Sequence, residues 1–208
     1  MYIKRGALIV FEGVDRAGKT TQCKKLVERL LSQNIKAKFM NFPNRTTKTG
    51  QIIDEYLRNK TDLTDEGIHL LFTVNRWEAR NEMEKELNAG TTIIVDRYSY
   101  SGVAFTAAKG LDFEWCKMPE KGLIRPDMVV YLTLNQEAMA RRGGFGGERY
   151  ETNDFQKNVR KIYERLIERP LWQIIDADKT EDELSDELEQ LIRRKIEETG
   201  DQPLQLLW

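Results

Sequence analysis

The stretch Gly13-Val14-Asp15-Arg16-Ala17-Gly18-Lys19-Thr20 narrows the possible folds of this chain more than any other. It meets the full Gly-x-x-x-x-Gly-Lys-Thr phosphate-loop pattern, and its neighbours supply the context that the pattern requires. Ala7 to Phe11 is an unbroken apolar run of strand length, and after the loop Cys23, Leu26, Val27, Leu30 and Leu31 recur at helical spacing on one face. Strand, glycine loop and helix in that order put a fan of backbone amides at a helix N-terminus, where they can cradle the β- and γ-phosphates of a nucleotide. Lys19 would bridge those phosphates and Thr20 would ligate Mg²⁺. A glycine turn with an incidental Gly-Lys-Thr is the plainer alternative, and it does not account for both flanking elements. The expected chemistry is phosphoryl transfer, with the acceptor still open.

The rest of the chain continues the alternation. Lys36 to Phe42 reads as a second strand ended by Pro43, and Gln51 to Leu57 as a short helix. Thr64 caps a longer helix with Asp65 and Glu66 in its favourable first turn; Ile68, Leu71, Phe72 and Asn75 share a flank, and the pattern runs through Met83 and Leu87 to Gly90. Strands are expected at Thr91 to Val95, Met128 to Leu134 and Trp172 to Ile175. Helices are expected at Gln136 to Arg142, along Phe155, Val159, Ile162, Tyr163 and Leu166, and along Leu184, Leu188, Leu191, Ile192 and Ile196. Largely apolar strands separated by helices predict a three-layer α/β fold with a five-stranded, mainly parallel sheet covered on both faces. The site should lie beyond the carboxyl ends of the strands. Residues 1–208 read as one domain, with a glycine-rich insertion near 141–152.

Composition excludes several classes. With 33 basic and 34 acidic residues and a net charge of -1, neither nucleic acid nor an anionic membrane is expected as a partner. Cys23, Cys116 and the single His69 do not assemble a zinc cluster or a Cys/His catalytic pattern. Charged Lys4 and Arg5 precede the first apolar run, and no run approaches about 18 apolar residues, so a cytoplasmic protein without a secretory signal is expected.

The candidate site residues each carry a plainer alternative. Asp96 can orient Mg²⁺ or its water shell, and Arg97 can clamp phosphate oxygens; a loop cap and a surface salt bridge would use the same residues. Tyr98 reads as packing. Arg16, inside the loop, can neutralise charge on the transferred group, whereas Asp15 repels phosphate and is expected to point away, toward a sugar hydroxyl. Phe72 and Arg76 form an i,i+4 pair able to stack on a base and bond its carbonyl, and Phe42-Pro43-Asn44-Arg45 offers a ring and a phosphate-binding cation. Phe72 and Phe105 fit a core equally well. Gly143, Gly144, Gly146 and Gly147, flanked by Arg141, Arg142 and Arg149, suggest a lid that excludes water, or a passive surface loop. Ala177-Asp178-Lys179-Thr180 either approaches the nucleotide base or caps the last helix, and Glu12 is either a base for a hydroxyl acceptor or a buried structural pairing.

The ordered set Arg5 to Gln22, Phe42 to Arg45, Leu70 to Glu78, Val95 to Lys109, Pro126 to Leu132, Arg142 to Glu151 and the tail Leu207-Trp208 resembles the thymidylate kinases, especially the eukaryotic and poxviral form, over nearly the whole length. The resemblance implies the P-loop nucleoside monophosphate kinase fold, an ATP:dTMP phosphotransferase with Mg²⁺, and a homodimer. It implies Arg16, Lys19, Asp96 and Arg97 as catalytic residues, and Thr20 and Asp96 at the metal. Gly13, Arg16, Gly18, Lys19, Thr20, Thr21 and Arg142 would hold ATP, with Arg142 against adenine. Asp15, Phe42, Arg45, Phe72, Arg76, Arg97, Gly102, Phe105, Tyr150 and Gln156 would hold dTMP. Within that set Arg45 and Arg97 would take the phosphate, Asp15 the 3′-hydroxyl, Phe72 the thymine face and Arg76 a thymine carbonyl, while Tyr150 would exclude a ribose 2′-hydroxyl. The glycine content of the lid exceeds the family pattern, which bears on closure and rate rather than on chemistry. A deoxynucleoside kinase and a catalytically silent nucleotide-binding regulator are the rival readings.

Overall fold

The structure, a computed structural model, describes residues 4–134, 149, 150 and 152–208. In chain order its elements are β1 (Leu8–Gly13), α1 (Lys19–Ser32), β2 (Ala37–Asn41), α2 (Lys48–Leu57), α3 (Asp65–Asn88), β3 (Thr92–Asp96), α4 (Ser99–Ala107), α5 (Phe113–Lys117), a 3-10 turn at Met118–Glu120, β4 (Met128–Thr133), α6 (Asn153–Leu166), β5 (Trp172–Asp176) and α7 (Glu181–Thr199). The strands lie in the order β2-β3-β1-β4-β5, and every neighbouring pair is parallel. This is the expected five-stranded α/β arrangement of the P-loop nucleoside monophosphate kinases, with each strand end within two residues of its expected place.

Alternation along the strands divides the core into two layers, because successive Cβ atoms leave opposite faces. Leu8 and Val10 of β1, Ile93 and Val95 of β3, and Val129 and Tyr131 of β4 pack with Met83 and Leu87 of α3, Val103 and Ala104 of α4, and Val159 and Tyr163 of α6. Ile9, Phe11, Ile94, Val130 and Leu132 face the other way, onto Cys23, Leu26 and Leu30 of α1 and Leu184, Leu188 and Ile192 of α7. Both faces of the central strands are therefore apolar, which is why the sequence shows runs there rather than a polar alternation. Each aliphatic side chain so buried contributes about 1.5–3 kcal/mol.

Helix starts follow their capping chemistry. Thr47, Thr64 and Thr180 accept from the backbone N–H groups of Gly50, Gly67 and Glu183, and the Glu183 carboxylate accepts in turn from Thr180 N to complete a capping box. The Thr47 cap starts α2 three residues ahead of the expected Gln51. Leu31, expected on the buried face of α1, is instead 51% exposed, because it lies at the last turn beyond the sheet-facing stripe. α4 and α5 have no counterpart in the sequence reading. Eight of the nine α4 residues are buried, so that helix has no polar face and no 3.6-residue signal. The expected helix at Gln136 to Arg142 lies outside the described residues.

The single histidine is a brace for these helices. The Thr106 hydroxyl donates to His69 Nδ1 at 2.9 Å, and Nε2 donates to the Cys116 carbonyl at 3.0 Å, the carbonyl being able only to accept. Burial holds the ring below its ordinary pKa of 6.5, so it is the neutral form that joins α3, α4 and α5. Among the described residues no helix is long and apolar enough to cross a membrane.

Candidate active site

The carboxyl ends of β1, β2 and β3 converge on the phosphate loop. Gly13 closes β1 at φ 134°, and a Cβ there would stand 2.3 Å from the Leu132 carbonyl oxygen, so no other residue fits. Gly18, at φ 85°, is the N-cap of α1. Arg16 is also left-handed at φ 67°, a conformation that costs a non-glycine residue about 1–2 kcal/mol. Three residues on, the helix places Lys19 and Thr20 in its first turn. Lys19 is 5% exposed and donates from Nζ to the Val14 carbonyl at 2.7 Å. Burial, then the Arg97 charge, pulls its ammonium down to about 8 against the opposing pull of Asp15, Asp96 and Glu12.

The Thr20 hydroxyl donates to Asp96 Oδ2, while Asp96 Oδ1 is buried without a hydrogen-bond partner among the described residues. An orphaned carboxylate oxygen beside a threonine hydroxyl is a hard, all-oxygen donor pair. It suits Mg²⁺, which takes few protein ligands and fills its shell with water and phosphate oxygens. No cluster of three or more His, Cys, Asp or Glu that could cage a softer metal occurs among the described residues.

Asp15, the carboxylate out of place in a phosphate loop, is turned onto Arg97 and Gln156. Its Oδ1 pairs with Arg97 Nη2, and its Oδ2 accepts from Gln156 Nε2 at 2.7 Å. Arg97 sits at φ 64°, donates from Nη1 to the Gly13 carbonyl at 3.3 Å and to Ser101 Oγ at 3.2 Å, and lies 5.2 Å above the Phe105 ring centre. Burial would lower the Arg97 guanidinium, but the surrounding acids, Asp15 first, hold it above its usual value and therefore charged. Loop, β3–α4 junction and α6 thus meet at one ion pair.

Two clefts of different character join there. One is lined by Asp15, Phe42, Arg45, Phe72, Arg76, Arg97, Gly102, Phe105 and Tyr150 and is largely aromatic with cations at its edge. The other is lined by Arg16, Gly18, Lys19, Thr20, Thr21 and Asp96, and it shares Asp15, Phe42, Arg45 and Arg97 with the first. A further depression of Arg16, Gly18, Thr21, Gln22 and Lys179 continues it toward α7. Gln156 reaches the aromatic cleft through Asp15 and through the Tyr150 carbonyl, to which it donates at 3.1 Å. Arg142 and the stretch Gly143 to Gly147 lie outside the described residues.

Several alternatives close. Phe72 lines the cleft and also packs on Ile53, Tyr56, Leu57 and Ile68. Thr180 caps α7 while Lys179 lines the loop-side depression. Glu12 is fully buried and accepts from Tyr98 N at 3.0 Å, Ser101 N at 3.1 Å, Ser101 Oγ at 2.5 Å and Tyr163 Oη at 2.8 Å. Burial raises its pKa in spite of these bonds, and it is a structural carboxylate rather than a base facing an acceptor. Residues with no sequence signal also belong here. Ser101 bonds Arg97, and Glu120 holds Arg76; neither was singled out as a site residue from the sequence, and both come from the region whose helices were not anticipated.

Known proteins share this fold and much of this sequence. The profile of the family Thymidylate kinase matches residues 11–188. The thymidylate kinase of Arabidopsis thaliana is 52% identical over 98% of this chain and 78% of its own length, and that of Danio rerio is 47% identical with 100% of both chains covered. The solved structure of the thymidylate kinase from Candida albicans superposes with a TM-score of 0.89 at 36% identity, covering 98% of this chain and 99% of that one. A match of this extent in sequence and in fold, around a phosphate loop intact at every position, means that the chain belongs to the thymidylate kinase family and is a phosphotransferase.

Proposed function

We propose that this enzyme transfers the γ-phosphoryl group of ATP to the phosphate of dTMP, giving dTDP and ADP, by direct in-line displacement with Mg²⁺. The observation that carries the reading is the junction of an aromatic cleft and a phosphate-loop cleft across shared Asp15, Arg45 and Arg97. Phe72 and Phe105 suit a flat base, Arg76 a base carbonyl, and Tyr150 the face of a deoxyribose. Arg45 and Arg97, at the seam, suit the acceptor's own phosphate, and Gln156 with Asp15 its sugar hydroxyl. Lys19, Arg16 and the loop amides would hold the donor phosphates, with Thr21 and Gly18 along the same wall. Thr20 and Asp96 would hold Mg²⁺, whose charge offsets that of the β- and γ-phosphate oxygens. The one-domain reading, with the glycine-rich insertion as a lid and Arg142 against adenine, belongs to the same proposal.

In the reaction one oxygen of the acceptor phosphate forms the new bond to the γ-phosphorus while the bond to the β–γ bridging oxygen breaks and ADP leaves. The attacking oxygen is already ionised, so no base is required, and Glu12 is engaged elsewhere. Catalysis then rests on position and on charge held by Lys19, Arg16 and Arg97. A deoxynucleoside kinase would need a free carboxylate at its hydroxyl acceptor; Asp15, the carboxylate at the seam, is paired with Arg97.

A homodimer is part of the proposal. Leu70, Val74 and Trp77 follow an i, i+4, i+7 stripe on α3 and are 44%, 44% and 38% exposed, an apolar face suited to a second copy of the same helix. Light scattering should give twice the 24.3 kDa chain mass, and Val74→Glu should halve it; a native single-chain mass would reject the dimer.

Product formation from ATP and Mg²⁺ with dTMP, dUMP, dCMP, dGMP, UMP or thymidine tests the acceptor. Rapid conversion of dTMP with thymidine inert is expected, and Arg45→Ala should raise the KM for dTMP by about tenfold or more. Turnover of thymidine instead of dTMP would favour the nucleoside kinase, and nucleotide binding without turnover a silent regulator. The depressed Lys19 gives a pH signature of donor binding. Above about pH 8 the free enzyme holds Lys19 partly neutral, and phosphate oxygens restore its charge, so ATP binding should take up roughly three-quarters of a proton near pH 8.5. Calorimetry in two buffers of different ionisation enthalpy reads this uptake. Lys19→Arg, charged throughout, should show none; equal uptake by both proteins would place the titration elsewhere.

A further inference from the structure

Glu120 closes the Met118–Glu120 turn between α5 and β4, lines neither cleft and is fully buried. Four hydrogen bonds converge on it. Arg76 donates from Nε to Oε2 at 2.8 Å and from Nη2 to Oε1; the Thr73 hydroxyl donates to Oε1 at 2.5 Å and the Ser99 hydroxyl to Oε2 at 2.7 Å. Burial alone would push the carboxyl up, but the Arg76 charge and these bonds hold it below the usual carboxylate range, so the pair is ionic. The turn is itself pinned to α3, since Trp77 Nε1 donates to the Pro119 carbonyl at 2.9 Å.

Gly102 of α4 also closes on Arg76. A Cβ at Gly102 would stand 2.5 Å from Arg76 Nη2, so α4 offers bare backbone where the guanidinium lies. With Nε and Nη2 on Glu120, Nη1 is the nitrogen without a hydrogen bond among the described residues, in a side chain that is 2% exposed and lines the aromatic cleft. A buried ion pair adds little net stability, because desolvation offsets its attraction. What this one supplies is direction: a planar fork engaged bidentately on one edge cannot swivel.

We propose that Glu120 is a positioning residue for acceptor selection, locking Arg76 so that a single N–H edge faces the base and favours a carbonyl over an amino group there. The inference rests on the proposed acceptor site. An amino group donates and cannot accept from Arg76, so a 4-amino pyrimidine would leave two donors opposed, whereas a 4-oxo pyrimidine closes the bond. Loosening the fork should therefore weaken dTMP binding and erode its advantage over dCMP.

Steady-state kinetics of Glu120→Gln, checked for folding by circular dichroism, tests this. Gln keeps the size but removes the charge and turns an N–H₂ toward the Arg76 and Thr73 donors. The KM for dTMP should rise roughly tenfold and the dTMP-to-dCMP ratio of kcat/KM fall roughly tenfold, while the KM for ATP stays within about twofold. An unchanged ratio, or equal rises in both KM values, in a folded variant overturns the proposal. If Glu120→Gln does not fold, Ser99→Ala removes one supporting donor, and a rise of about threefold confined to the dTMP KM is expected; no change overturns it. Native enzyme assayed alongside separates this failure from that of the acceptor itself, since a native protein inert toward dTMP overturns both.

Discussion

The ion pair between Asp15 and Arg97 is the joint on which the site depends. It ties the phosphate loop to the β3–α4 junction, and through Gln156 it draws in α6, so three stretches far apart in the chain meet within one charge cluster. A carboxylate in a phosphate-binding loop would repel the ligand if it faced inward; paired with Arg97 it instead fixes that cation where the two clefts join. Two arginines that line the phosphate-loop cleft, Arg16 and Arg97, have left-handed backbones. Such strain persists where the surroundings over-determine it, and here the closure of β1 against β4 and the Gly13 and Ser101 bonds to Arg97 do so.

Behind the joint lies a layer of buried polar groups that would be costly if any member were unsatisfied. Ser101 Oγ is within hydrogen-bond reach of Arg97 at 3.2 Å, Glu12 at 2.5 Å and Tyr163 at 2.8 Å, which links α4, β1 and α6. Glu120 plays the equivalent part behind Arg76. The two carboxylates differ in their partners: Glu120 meets a cation directly and is held down in pKa, whereas Glu12 meets hydroxyls and amides and is pushed up by burial. Aromatic side chains make the walls and buried carboxylates aim the arginines, which is a division of labour that packing alone would not produce.

Much of this was legible in the residue order. Five apolar runs, a phosphate loop between strand and helix, and threonine caps carry strong local physics, and the strands fall where those signals point. Asp96, Arg97 and Arg45 were readable as candidates because they follow strand ends, where an open α/β sheet presents its ligands. What stayed hidden has a common cause. α4 is buried on nearly every side and so has no periodicity to detect, and with it went Ser101 and the support of Gly102 for Arg76. Glu120 is one acid among Glu114, Lys117 and Lys121, and only the tertiary fold distinguishes the buried charge from the solvated ones. Glu12 could not be sorted between base and brace until its four donors were seen.

The central claim is that donor and acceptor clefts form one continuous site that meets at the phosphate loop. Calorimetric affinity of a bisubstrate molecule, adenosine and thymidine joined 5′ to 5′ through five phosphates, tests it most directly. If both ends are seated at once, the compound should bind at least roughly 100-fold more tightly than ATP or dTMP alone, because the second contact becomes intramolecular. An affinity no better than that of ATP would mean that the two clefts do not take their ligands together, and would contradict the account.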